Sequence, residues 1–306
     1  MSDRGFRSMM GRAAVVAVVS LASVSAAGQT PTAAVQTWNP PRTPDGQPDV
    51  QGYWIPGGPT AAPTSPTFTL EGGDLYDERQ TLTFGAGNVL RGPGGELLEP
   101  HSVVVDPASG RIPYQPWASA KRQEYFEAHT HPTKPEHIDG RALCHLPGVP
   151  RTTYSGQSQI IQSPGYVVLV NAFSHSPRVI PLDGRPHLGP NIRLWQGDAR
   201  GRWEGNTLVV ETTNSNAKWL DVSGDFHSDA LRVVEHFSFV SPDLIRYEAT
   251  IEDPKVFTGP WTIGLTLRRN TEPGFELWEE ACVEGERSTT HMLHDTPGTK
   301  PADALK

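Results

Sequence analysis

Hydrophobic and polar positions alternate with period two through much of the second half of this 306-residue chain. Strand-length runs appear at 165–173 (GYVVLVNAF) and 177–184 (PRVIPLDG), and GRWEGNTLVVETTNSN at 201–216 reads as two short strands joined by a tight turn, the second at 207–213. Further runs occupy 230–240 (ALRVVEHFSFV), 244–251 (LIRYEATI), 261–269 (WTIGLTLRR) and 275–284 (FELWEEACVE). Short turns separate several of them, Ser241-Pro242-Asp243 being the clearest. A strand-like piece, DVQGYW, lies earlier at 49–54. One helix is predicted over 116–131, where Trp117, Tyr125 and Phe126 fall in a stretch with no interior Pro. About seven antiparallel strands with short connections predict a mainly β domain, a lipocalin-like barrel or a sandwich, with a short helix and long N-terminal loops.

Period two also assigns faces. In 231–239, Leu231, Val233, Glu235, Phe237 and Phe239 share the more apolar side. In 275–283, Phe275, Leu277, Glu279, Ala281 and Val283 share one side. Two glutamates are thereby placed among apolar neighbours, where each needs a partner or a raised pKa. Asn171 and His175 follow Val167 and Leu169 on another face, and Tyr247 lies with Ile245, Ala249 and Ile251. Glu211, between Val209 and Thr213, reads as facing water.

Composition sharpens the picture. Hydrophobic residues make up 36%, with 29 Pro and 30 Gly, as suits short strands and many turns. Arg4, Arg7 and Arg12 precede an apolar run, 13–24, too short to span a bilayer, followed by small residues to Ala27. This is the order of a signal peptide, 1–26, and predicts a periplasmic or secreted protein with no membrane span after processing. Removing it takes away three Arg and one Asp, a net +2, so the charge moves from −8 to about −10. An acidic chain without basic runs is a poor nucleic-acid binder. The remaining chain reads as a Pro/Thr-rich lead-in (27–66), a loop-rich part with the helix (67–156), the β domain (157–290) and a tail (291–306).

Cys144 and Cys282 are the only cysteines. In an oxidising compartment the pair is expected to be bridged, closing a long loop for up to about 4–5 kcal/mol. The open alternative is two buried thiols. Among eleven histidines, His129 and His131 stand two apart and do not share a helix face, so no metal is assigned to them. His291 and His294 read as a solvated turn. His175, Arg178, Asp183, Arg185 and His187 crowd into thirteen positions and offer either acid–base chemistry or a hydrogen-bonded loop. No nucleophile elbow, phosphate loop, dinucleotide fingerprint or His-Glu-x-x-His is present, and no cofactor is expected.

TPDGQPDVQGYW, RVIPLDGRPH, GDARGRWEGNTLVVETTN, HSDALRVVEHF, YEATIEDPKVFTGPW and ACVEG together resemble a group of secreted bacterial proteins numerous in soil bacteria. The resemblance implies export and one mainly β domain but supplies no reaction. Glu235, Asp253, Glu279 and Cys282 fall on positions typical of the group, whereas Val283 and His236 depart from it.

Three readings of function follow as expectations. The first is an exported enzyme working on a small organic molecule by acid–base hydrolysis, elimination or isomerisation. Glu235 and Glu279 would be its acid/base pair and His175 would assist. Arg178 or Arg185 would hold an anionic group, and Tyr247, Trp261 and Phe237 would line the pocket. The second is a non-catalytic lipocalin-like binding protein, whose acids are all paired to Arg. A structural Glu–Arg network is the simplest account of either glutamate alone. A surface-interaction protein with a flat apolar patch and no pocket is the third reading.

Overall fold

A computed structural model describes residues 38–57, 70–71, 102–173, 176–216, 218–221 and 224–278. Ten strands form one barrel-shaped antiparallel sheet: β1 (Gly52–Gly57), β2 (Val104–Asp106), β3 (Ser158–Ser163), β4 (Tyr166–Asn171), β5 (Pro177–Pro181), β6 (Asp198–Glu204), β7 (Thr207–Thr213), β8 (Arg232–Ser241), β9 (Leu244–Glu252) and β10 (Trp261–Arg269). Two α-helices, α1 (Pro116–Thr130) and α2 (Arg151–Tyr154), interrupt them. The expected strand at 275–284 does not hold where it is described, because 275–278 has no strand pairing and Trp278 is exposed. Two strands join the expected set, β2 with three residues and the polar-ended β3 (SQIIQS), and β1 extends the DVQGYW piece.

The hydrogen-bonded order is β5-β4-β3-β1-β10-β9-β8-β7-β6, with β2 pairing β10 beyond the end of β1. Every step is antiparallel, and an even number of steps separates β5 from β6. The two edge strands therefore run the same way. Parallel neighbours need a long crossover, and the 182–197 segment supplies it. The seam closes through side chains. Gly201 of β6 sits so near β5 that an added Cβ would meet Ile180 and Leu182 at 2.6 and 2.8 Å. Arg200 of β6 donates to the carbonyls of Arg185 and Pro186 just past β5. Its Nη1 also meets Asp198, which accepts from His187 and from the Leu188 amide. The PLDGRPH and GDARGRWEG stretches are thus the two lips of this seam.

Register stacks the core in rows across the strands. Thr212, Val233, Ile251 and Trp261 form one row; Val210, Glu235, Ala249 and Ile263 form the next. Leu208, Phe237, Tyr247 and Leu265 follow. Nearly all of these side chains are fully buried, so the interior is filled rather than hollow. The predicted faces of 231–239 and 245–251 are those observed.

α1 starts with Pro at its first position and continues through good helix formers. It packs against Trp219, Gly224 and Phe226, and Gly224 (φ +83°) lies so close that a Cβ would meet the helix backbone at 2.8 Å. Arg122 of α1 pairs with buried Asp225, which also accepts from Tyr114 at 2.7 Å. Among the described residues no helix is long and apolar enough to cross a membrane.

Candidate functional site

Glu235 is 0% exposed. Its neighbour across the strands is Ala249, small enough to leave the carboxylate room. One oxygen accepts from Arg178 (3.0 Å), Tyr247 (2.9 Å) and Thr153 (3.2 Å); the other accepts from Arg178 again. Arg178, 2% exposed, reaches on to Thr212 at 2.8 Å. A buried carboxylate costs several kcal/mol unless paired and hydrogen-bonded, and here four donors meet it. Burial and the adjacent carboxylate push the Tyr247 phenol well above its ordinary pKa, so Tyr247 stays a donor.

The sequence-predicted site residues divide into three groups. Glu235, Arg178, Tyr247, Phe237 and Trp261 lie inside the barrel, with the Phe237 and Tyr247 rings 4.9 Å apart. Arg185 lies elsewhere: its side chain is 46% exposed and engages Asp183 and Tyr166 on the surface. His175, Glu279 and Cys282 fall outside the described residues, as do 1–37, His291 and His294. The crowded 175–187 stretch does not converge on one point, because Arg178 points inward, Asp183 and Arg185 outward, and His187 to the seam. Cys144 closes a 3₁₀ turn at 140–143 in a left-handed conformation. Glu211 lies half-exposed and pairs with Arg232, in keeping with a wet face.

The helix α2 seals the end of the barrel nearest Glu235, and each of its four side chains is tied to a different part of the fold. Thr153 donates to Glu235 inside. Thr152 donates to Gln196 in the β5–β6 crossover at 2.8 Å. Tyr154 donates to the Leu220 carbonyl in the β7–β8 loop. Arg151 faces the other way and makes a bidentate pair with Asp139 at 2.8 and 3.1 Å. Asp139 also accepts from the Arg141 amide, capping the 3₁₀ turn.

On the outer side of α2 is a cavity of about 380 Å³. Arg151, Ile138 and Trp219 are buried in its floor; Trp195, His145 and Lys218 stand at its rim. His145 stacks on Trp195, centroids 4.8 Å apart. Lys218 Nζ lies 4.4 Å from the centroids of both Trp219 and Tyr125. His129 packs edge-on behind Trp219 at 4.5 Å, and burial pushes its pKa down. Neither of its ring nitrogens has a hydrogen-bond partner among the described residues. Among these residues no three His, Cys, Asp or Glu side chains cluster as metal ligands would.

Periodicity does not find this cavity, because its residues come from turns and crossovers. Its one sequence signal is large aromatics, Trp195 and Trp219, set in polar loops with no alternating partners. No family model, curated protein or solved structure matches the chain.

Proposed function

We propose that this is a small-ligand-binding barrel protein whose site is the cavity at its capped end. One contrast carries the reading. The cavity is open and lined by aromatic and cationic groups, whereas Glu235 is enclosed with both oxygens occupied. Pockets of this volume, with apolar walls and a few polar groups, are the usual form of small-molecule sites. A general acid or base must come within hydrogen-bond reach of substrate, and α2 stands between Glu235 and the cavity. This supports the binding reading over acid–base catalysis by that residue. The signal-like N-terminus supports action outside the cytoplasm, and Cys144, which is not a free thiol, supports a bridge to Cys282.

A thermal-shift screen with a charge-diverse fragment library tests the proposal. Some ligands should raise the Tm in a concentration-dependent way, the added stability reaching about 2.7 kcal/mol at a hundredfold excess over Kd. The shift should vanish in Trp195→Ala, a rim change that leaves the core alone. If no fragment moves the Tm, or if Trp195→Ala leaves every shift intact, the cavity is not the site.

A further inference from the structure

We infer that the ligand of this cavity is a small planar carboxylate with an aromatic ring, an inference that rests on the binding reading above. Shape comes first. Trp219 in the floor and the Trp195–His145 pair on the rim line one space of about 380 Å³. That volume suits one or two fused rings rather than a long lipid chain. Aromatic ligands prefer offset or edge contacts with such rings.

Charge then selects the sign. The walls bring Arg141, Arg151 and Lys218 together, with Glu136 the one carboxylate. This cationic concentration occurs in a chain of net charge −8. Arg151 is 3% exposed, and its bidentate pair with Asp139 holds it still. Lys218 is different in kind: it is exposed, rests over two aromatic rings and makes no ion pair among the described residues. A cation resting above the Trp219 ring is placed to meet the carboxylate of a ligand whose own ring packs against the exposed Trp195. A cationic ligand would find aromatic rings here but would be repelled by Lys218, which no carboxylate among the described residues neutralises. A bare inorganic anion would leave the aromatic walls without a partner.

Calorimetric titration with matched probes decides the matter: benzoate, 2-naphthoate and indole-3-acetate, their neutral amides, and inorganic phosphate. At least one carboxylate should bind at least about tenfold more tightly than its amide, and tighter than phosphate. Added salt should weaken it. Lys218→Gln, a surface change, should remove most of the preference over the amide while leaving the Tm unchanged. Amides that bind as well as their acids, phosphate that binds best, or a preference untouched by Lys218→Gln would overturn the inference. The binding reading would survive those outcomes provided Trp195→Ala abolishes the binding seen. Failure of every organic probe, joined to a silent fragment screen, would remove both.

Discussion

The two sides of α2 hold the same kinds of groups under opposite conditions. On the inner side a guanidinium, a carboxylate, a phenol and two threonine hydroxyls meet in full burial, and both carboxylate oxygens accept hydrogen bonds. On the outer side guanidinium and ammonium groups stand beside aromatic rings around an open space, with Lys218 lacking a carboxylate among the described residues. Pairing is what separates a structural polar centre from a receptive one. A paired network in a low-dielectric interior ties β5, β7, β8, β9 and α2 together, and its carboxylate and guanidinium are committed to each other rather than to a ligand. A cation over an aromatic face has a vacant direction.

The sharpest way to break this comparison is to unpair the inner network. Glu235→Ala leaves Arg178 as an uncompensated buried charge and should cost about 3–5 kcal/mol. That should lower the Tm by roughly 10 °C. The double change Glu235→Leu with Arg178→Met should recover more than half the loss, since it removes both charges together. A Glu235→Ala protein melting within a degree or two of the parent would show that the network is not structural.

Acid offers a middle-sized test at the seam. Burial pushes the Asp198 carboxyl up, but the Leu188 amide, His187 and Arg200 outweigh it and hold its pKa below the usual value. A carboxylate with a depressed folded pKa stabilises fully above its unfolded pKa, near 3.8, and loses that contribution as pH falls through the lower folded value. Asp198→Asn should therefore cost on the order of 2 kcal/mol at neutral pH and nearly nothing in strong acid. Melting curves across pH would read this directly. A difference that persists undiminished in strong acid would assign the stabilisation to something other than the charged form.

The smallest effect is expected at Arg185. Its pair with Asp183 is exposed on both sides, and such pairs contribute about 0–1 kcal/mol. Arg185→Ala should leave the Tm within a degree or two and should not alter ligand binding. A loss of binding would place this residue in the site after all.

Alternation alone settled much of the barrel. Because a strand's side chains point to opposite faces in turn, Val233, Glu235, Phe237 and Phe239 had to share a side, and the apolar company of Glu235 marked that side as the interior. The hairpins β6–β7 and β8–β9 were equally legible, since two-residue turns between alternating runs leave little freedom. The 275–278 segment shows the limit. Its alternation is as good as any, yet no strand accepts it, because β10 already has β1 and β2 along its free edge.

Local pattern alone determined that this chain makes an antiparallel, mainly β domain with an acid turned inward. Only the tertiary structure decided that Arg178, fifty-seven positions away, would neutralise that acid. It also decided that Arg141, Arg151, Trp195 and Lys218 would line one space, with Asp139 pairing Arg151. Strand periodicity is a short-range property of the backbone, repeated every two residues. Charge pairing and cavity formation depend on which distant loops a closed sheet brings to the same end, and no local repeat encodes that.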